Sequence, residues 1–117
     1  MYTSETMVCI TGQHVNLGEG MLMSQFNVGH IIVTPCALEE LRQSGQGPEE
    51  FFARHIQCDW GDLSDEDKDL NDAALYDGEC IHSSYLTSDK TRIWIITEAE
   101  DECGQRLATT ILLPEED

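Results

Sequence analysis

The run Arg92-Ile93-Trp94-Ile95-Ile96 carries large apolar side chains at successive positions. Successive side chains of a strand point to opposite faces, so this run predicts a strand that is covered on both sides and lies centrally in its sheet. The strand is expected from Thr91 to Glu98, with neighbours at Cys80 to Leu86 and Leu107 to Leu113. The polar run His82-Ser83-Ser84 favours a less buried position for the first neighbour. The three segments predict an antiparallel meander.

One further strand and a helix are predicted before the meander. β-Branched residues within 26–34 indicate a short buried strand, which Pro35 would end. Thr34 is a suitable helix N-cap, and proline suits the first helical position because an amide proton there would be unpaired. Gly45 is a suitable end for this helix.

Two more helices are expected between residues 47 and 78. Gly47-Pro48 predicts the start of one, and Ser64 with Asp67 has the spacing of a capping box that opens the other. Gly78 is the expected end of the third helix. The inward-facing side chains are predicted to be Phe51, Phe52 and Ile56 in the second helix and Leu63, Leu70 and Ala74 in or beside the third.

These elements predict a single α+β domain over residues 26–117. A strand, three helices and a three-stranded meander would form a four-stranded, mainly antiparallel sheet with the helices packed on one face. Residues 1–25 show no sustained periodicity and are interpreted as an N-terminal extension. Codons for Gly18-Glu19-Gly20 can form a purine-rich ribosome-binding site just upstream of a start codon at Met21. One hypothesis therefore starts the native protein at Met21 or Met23. The alternative is a genuine N-terminal arm.

The chain is strongly acidic, with 23 Asp and Glu residues against six Lys and Arg residues and a formal net charge of −17. Nine of the acids fall between Asp59 and Glu79, where Lys68 is the one basic residue. Such a surface is repelled by nucleic acid phosphates and by anionic lipids. Basic proteins or nucleoprotein complexes are therefore the expected partners, and direct binding of nucleic acid or membrane is disfavoured.

Several function classes lack their sequence signatures. No Gly-x-Ser-x-Gly elbow or Cys–His signature supports nucleophilic catalysis, and no phosphate-binding loop supports nucleotide binding, so a non-enzymatic protein without a cofactor is expected. The five cysteines are odd in number and scattered, which is typical of thiols in a reducing compartment. With no apolar run near the roughly 20 residues of a membrane span, the expected location is the cytoplasm.

The densest group of functional side chains lies between Arg54 and Leu63. In one interpretation it is a recognition corner, where Trp60 anchors a partner while Asp59 and Asp62 bind the partner's arginines. In the other it is structural: Trp60 fills a gap between helices, Gly61 permits a turn, and the carboxylates cap backbone amides.

The third helix is expected to carry an acidic stripe. Asp65, Asp69 and Asp72 follow i, i+4, i+7 spacing and would share an exposed face, with Asp62 and Glu66 beside it. One interpretation is a solvated helix face. The other is mimicry of DNA, since carboxylates one helical turn apart can follow the charge spacing of a phosphate strand.

A zinc site is a further alternative. His55 and Cys58 have helical i, i+3 spacing, and Cys80 and His82 have strand i, i+2 spacing, so each pair would share a face. Neither pair has the Cys spacing of a zinc ribbon. The signal is therefore weak, and no metal is assigned.

The chain resembles a family of small bacterial proteins labelled plasmid-related. The motifs that carry the resemblance are Arg54-His55, Asp59-Trp60-Gly61-Asp62-Leu63, Glu66-Asp67, Asn71, Tyr85, Thr87, Ile93-Trp94-Ile95-Ile96-Thr97-Glu98-Ala99 and Thr109-Thr110-Ile111-Leu112-Leu113-Pro114-Glu115-Glu116, with a Thr-Pro-x-Ala-Leu pattern at Thr34 to Leu38. The match covers most of Val28 to Glu116. The resemblance implies carriage on plasmids and integrative elements, with no settled activity.

Three features depart from that family. The chain has extra residues before Met21, it has Cys58 where a small residue is usual, and the segment Glu100 to Gln105 lengthens the last hairpin. The longer turn adds three acids, Glu100, Asp101 and Glu102, which are a further expected point of partner contact.

The leading functional hypothesis is a non-enzymatic acidic protein of a mobile genetic element. It would inhibit a basic, nucleic-acid-binding defence complex of the restriction or CRISPR type by imitating DNA. The first alternative is a plasmid-encoded interaction or regulatory module whose acids serve solubility. The second is the small zinc-binding protein. The residues expected to contact the partner are Asp59, Trp60, Asp62, Asp65, Glu66, Asp69, Asp72, Glu100, Asp101 and Glu102.

Overall fold

The structure is a computed structural model that describes residues 26–117. The elements follow the predicted order and confirm an α+β fold. They are β1 (His30–Val33), α1 (Pro35–Ser44), α2 (Pro48–Ile56), α3 (Asp65–Asp77), β2 (Ile81–Leu86), β3 (Arg92–Thr97) and β4 (Ala108–Leu112), followed by a short 3-10 helix (Pro114–Glu116). The extension at 1–25 and the alternative starts at Met21 and Met23 lie outside the described residues.

The four strands form one mixed sheet in the order β1-β4-β3-β2. β1 runs parallel to β4, whereas β3 is antiparallel to both of its neighbours. β3 is therefore an inner strand, as its apolar run predicts, with Trp94 opposite Ser84 on one side and Leu112 on the other. β2 lies at an edge of the sheet, but the prediction that it is less buried was wrong, because Ser83 and Ser84 are 0% and 3% exposed.

The first helix begins and ends at the expected residues, the second begins at the expected Pro48, and both cover the core. The Thr34 hydroxyl accepts a hydrogen bond from the Ala37 amide at 3.1 Å, and Gly45 ends α1 with a left-handed φ of 78°. The core is formed by buried residues of α1, α2 and the sheet, which include Leu41, Phe51, Phe52, Ile56, Ile93, Ile95 and Ile111. The predicted inward positions of α2 are thus confirmed.

α3 has the predicted cap but a different inward face. The Ser64 hydroxyl accepts from the Asp67 amide at 3.1 Å, and Ala74 is buried as expected. The prediction for Leu70 was wrong, because its side chain is 67% exposed. Asn71 turns inward instead, where its side-chain amide pairs with the backbone of His82 in β2. The edge strand has free backbone groups on this side, and an asparagine can satisfy them where a leucine cannot.

The turn between α2 and α3 also covers the edge of β2. The Ser84 amide donates to the Trp60 carbonyl at 3.1 Å, and the Asp62 amide donates to the Ser84 carbonyl at 2.6 Å. Gly61, between them, has a φ of 76°, and a β-carbon there would overlap the Ser84 carbonyl oxygen. Glycine is therefore required by both backbone conformation and space. No helix in residues 26–117 has the length and apolar character to cross a membrane.

Candidate acidic interface

The outward stripe of α3 is acidic from Asp65 to Asp72. Asp65, Glu66, Asp69 and Asp72 are all exposed, as the helical spacing predicts. Within residues 26–117, no Lys or Arg forms an ion pair with any of the four. All four carboxylates therefore lack an ion pair within these residues, and Asp72 also accepts a hydrogen bond from the Trp60 indole.

The β3–β4 turn brings a second acidic segment to the C-terminal end of this helix. The Glu100 amide donates to the Gly78 carbonyl at 2.8 Å, immediately after α3. Within the turn, the Asp101 carboxylate accepts from the amides of Cys103 and Gln105 at 2.8 and 2.9 Å. The turn, far from α3 in sequence, therefore lies against the C-terminal end of that helix. We call the combined surface the acidic ridge, formed by Asp65, Glu66, Asp69, Asp72, Glu100, Asp101 and Glu102.

Arg106 fastens the helix to the hairpin. Its guanidinium donates to the carbonyl oxygens of Glu79 at 2.7 Å, Glu98 at 3.0 Å and Ala74 at 2.9 Å. The side chain is only 3% exposed, and the Glu100 carboxylate lies 3.9 Å from it. A single buried cation thus binds the last turn of α3, the segment before β2 and the residue that follows β3. Sequence analysis missed this residue, since nothing beside it indicates a buried arginine.

Trp60 does not form part of the exposed surface. It is 4% exposed, and its indole nitrogen donates to the Asp72 carboxylate at 3.0 Å. The ring packs on those of His55 and Phe26, with centroids 5.8 and 6.1 Å away. The anchor role expected for Trp60 is therefore replaced by the structural alternative, in which the indole fills the space between the helices.

Asp59 and Asp62 are paired within the chain. The Arg54 guanidinium lies 2.8 Å from Asp59, and Arg92 lies 2.7 Å from Asp62. The hydrogen bond from Arg54 lowers the pKa of Asp59, and the Gly61 amide also donates to this carboxylate. Both carboxylates therefore brace the turn between α2 and α3, and their charges are already balanced by arginines of the same chain. They contribute less free charge than the ridge acids.

An exposed aromatic side chain lies on the ridge instead. Tyr76 is 88% exposed and follows Asp72 by four residues, which puts it on the same helical stripe. Tyrosine is enriched at the centres of protein interfaces because it combines apolar area with a polar end. The i+4 spacing from Asp72 was the sequence signal for this residue, and it was overlooked.

A buried chain of hydrogen bonds involves His55. Its Nδ1 and Nε2 lie 2.6 Å from the Ser83 hydroxyl and 2.8 Å from the Thr97 hydroxyl. The Thr109 hydroxyl donates to the Val28 carbonyl and lies 2.7 Å from that of Thr97. Since a carbonyl can only accept, the protons are ordered: Thr97 donates to Thr109, His55 Nε2 donates to Thr97, and Ser83 donates to Nδ1. Both imidazole nitrogens are therefore occupied.

We expect His55 to make stability pH-dependent. Burial, with a smaller effect of His82, lowers the pKa of His55 from 6.5 to about 3. The unfolded chain then binds this proton at a higher pH than the folded chain. The free energy of unfolding should therefore fall as pH drops below 6.5, by up to about 1.4 kcal/mol per unit, until the folded pKa is reached.

Urea denaturation at several pH values would measure this effect. The variant His55→Gln keeps a donor and an acceptor but removes the titration, so its stability should depend less on pH. Between pH 6.5 and pH 5 the native protein should lose about 1.7 kcal/mol more than this variant. Equal losses in the two proteins would contradict the assignment.

The residues of the zinc alternative are not assembled into a site. His55 has no free nitrogen, and Cys58 is partly buried in the cluster around Trp60. Burial raises the pKa of the Cys58 thiol, which disfavours the thiolate that zinc requires. Among the described residues, no group of three His, Cys, Asp or Glu side chains is positioned to hold a metal ion.

Comparisons with known proteins do not supply a family. No protein-family model matches the chain, and no curated protein and no solved structure matches it.

Proposed function

We propose that the protein is a non-enzymatic acidic inhibitor encoded by a mobile genetic element and acting in the cytoplasm. Its target would be a basic, nucleic-acid-binding defence complex of the restriction or CRISPR type, whose nucleic-acid site the acidic ridge occupies. The observation that carries this proposal is the meeting of α3 and the β3–β4 turn in one acidic surface, most of whose carboxylates lack an internal cation.

The distribution of basic residues supports binding through charge. Arg42, Arg54 and Arg92 each form an ion pair within the chain, and Arg106 is buried. These four arginines therefore do little to offset the ridge, whereas Lys68 lies within α3 itself. The formal net charge of the full sequence is −17. A field of this sign accelerates association with basic surfaces and weakens as salt is added.

The spacing of the ridge acids supports imitation of a phosphate strand. An α-helix rises 1.5 Å per residue, so Asp69 lies about 6 Å along the axis from Asp65, and Asp72 lies about 4.5 Å further. Phosphates of one B-DNA strand advance about 3.4 Å along the helix axis per nucleotide. The carboxylates thus have the sign of a phosphate strand and a spacing between one and two nucleotides. Tyr76 adds an exposed ring that an arginine of the target can stack upon.

The resemblance to plasmid-related proteins supports the mobile-element setting. Its motifs include Glu66-Asp67 and the run from Ile93 to Ala99, which here lie in α3 and in or just after β3. Defence complexes are the basic, nucleic-acid-binding assemblies that act against incoming elements. A mobile element is therefore protected by a protein that competes with the element's DNA for binding to the defence complex.

One observation favours the alternative of a regulatory module whose acids serve solubility. Exposed carboxylates also occur far from the ridge in sequence, at Glu39 in α1 and at Glu49 and Glu50 in α2. A generally acidic surface keeps a protein soluble without a specific partner. Under this alternative the target would be another plasmid-encoded protein and binding would not compete with DNA.

DNA-binding assays of purified restriction and CRISPR complexes would test the proposal. Adding the protein should displace duplex DNA from at least one complex, in competition with DNA, and the inhibition should weaken between about 50 mM and about 200 mM salt. Parallel affinity capture from cells that carry both a plasmid and defence systems would identify the bound protein. Recovery of a plasmid-encoded partner with no effect on any DNA-binding complex would reject inhibition by mimicry.

A further inference from the structure

A cleft lies between α3 and the edge strand β2, apart from the carboxylates of the acidic ridge. Its volume is about 210 Å³, which suits one long side chain. The side chains that line it are Leu63, Asp67, Leu70, Asn71, Cys80 and His82. Two leucines, an aspartate and a histidine therefore border the same space.

The wall formed by Asn71 and His82 is fixed by hydrogen bonds. The Asn71 side chain donates to the His82 carbonyl at 2.6 Å and accepts from the His82 amide at 3.1 Å. This two-point contact holds α3 against the edge strand. Asn71 is 5% exposed, so the contact is shielded from water. This wall of the cleft is therefore held in place before a ligand binds.

The His82 imidazole has unused hydrogen-bonding capacity. The ring packs edge-on against Trp94, with centroids 4.5 Å apart. Its Nε2 is buried and has no hydrogen-bond partner among the described residues. Burial lowers the pKa of His82, so the neutral ring is favoured. A buried polar atom without a partner destabilises the free protein, and a ligand that pairs with it removes that cost.

The potential around the cleft is negative. The carboxylates of Asp67 and Asp117 both act on the His82 ring and favour positive charge there. Anionic ligands are therefore disfavoured. A wholly apolar ligand would leave Asp67 and the imidazole nitrogen unpaired. The chemistry that fits is a cation on an apolar stem.

We propose that this cleft binds an arginine side chain of the partner. The aliphatic stem packs between Leu63 and Leu70, and the guanidinium donates to the Asp67 carboxylate and to the ring of His82. Arginine is favoured over lysine because its planar group has several donors in a fixed arrangement and can serve two acceptors at once. This inference rests on the proposed function insofar as it assumes a basic partner, and it adds a specific contact to the ridge.

The exposure of Leu70 is consistent with this role. An isolated leucine on the outside of a helix has no folding benefit, yet this side chain is 67% exposed and borders the cleft. Contact with the stem of an arginine would cover it. Leu70 also gives the cleft an apolar surface beside the Asp67 carboxylate. Long cationic side chains bury their aliphatic stems on such surfaces when they bind.

Binding of small probes would test the cleft without any partner protein. N-acetyl-arginine amide and N-acetyl-lysine amide are titrated into the full chain while the ring nitrogens of its histidines are followed by NMR. The arginine probe should shift the His82 nitrogens saturably, with a dissociation constant on the order of millimolar, while the rings of His30 and His55 stay unchanged. The lysine probe should bind at least fivefold more weakly.

Two variants of α3 provide the matched comparison. Asp67→Asn removes the carboxylate of the cleft and should weaken binding of the arginine probe at least fivefold. Asp77→Asn removes an exposed carboxylate of the same helix outside the cleft and should leave binding unchanged. Backbone amide spectra would show that both variants remain folded. Absence of a saturable His82 shift, or equal binding by all three proteins, would overturn the proposal.

The outcomes separate this inference from the proposed function. If the probe binds but no DNA-binding complex is inhibited, the cleft stands and the defence target is rejected. If a complex is inhibited equally by the native protein and by Asp67→Asn, and the probe does not bind, the ridge stands and the arginine site is rejected.

Discussion

Replacing Arg106 with alanine should destabilise the domain by about 3 to 5 kcal/mol, a large part of the free energy of unfolding of a typical small domain. The guanidinium, 3% exposed, donates to three backbone carbonyls. Its removal leaves the carbonyls of Glu79 and Glu98 without this donor and creates a cavity beside them. The Ala74 carbonyl would keep its bond from the Gly78 amide.

Urea denaturation of the native protein and three variants would measure this effect. Arg106→Lys should be intermediate, because a single ammonium cannot reach the same set of carbonyls in the same geometry. Arg42→Ala is the control: it also removes an arginine, but one from an exposed ion pair with Glu39, and its unfolding midpoint should hardly change. If Arg106→Ala and Arg42→Ala were equally stable, Arg106 would not fasten the helix to the hairpin.

Neutralising the ridge should abolish most of the affinity for the target. In the triple variant Asp65→Asn, Asp69→Asn and Asp72→Asn, three charge-assisted contacts would be lost, which corresponds to a decrease in affinity on the order of 100-fold. The fold should tolerate the change, because an asparagine oxygen at residue 72 can still accept from the Trp60 indole.

A control variant with the same change in net charge separates the ridge from the general field. Glu49→Gln, Asp89→Asn and Glu115→Gln remove three exposed carboxylates that lie outside the ridge. This protein should keep its affinity within a few-fold, since distant exposed charges are screened at physiological salt. Equal losses in both triple variants would mean that only net charge matters, and the ridge would not be a binding site.

Much of the fold follows from local sequence signals. The inner position of β3 follows from apolar residues on both faces, and the helix ends follow from Thr34, Gly45, Ser64 and Gly78. These signals act over a few residues, so they can be recognised without knowing the tertiary structure. The error at Leu70 has the opposite origin. Asn71 turns inward because of a bond to a strand that is distant in sequence, and helical periodicity contains no information about that bond.

The candidate site was predicted only in pieces. Helical spacing identified the exposed acids of α3, and the extra length of the last hairpin identified Glu100, Asp101 and Glu102. Their adjacency depends on Arg106, whose three carbonyl partners belong to different parts of the chain. The burial of Trp60 likewise depends on its bond to Asp72 in the next helix. Contacts of this kind are tertiary, and sequence patterns do not report them.

The salt dependence of target affinity tests the central claim most directly, because direct pairing between ridge carboxylates and cations of the target must be sensitive to ionic strength. Affinity is measured between about 50 mM and about 200 mM salt for the native protein and for both triple variants. The account predicts a steep loss of affinity with salt for the native protein and the control, and a clearly shallower slope for the ridge variant. The same slope in all three proteins would contradict it.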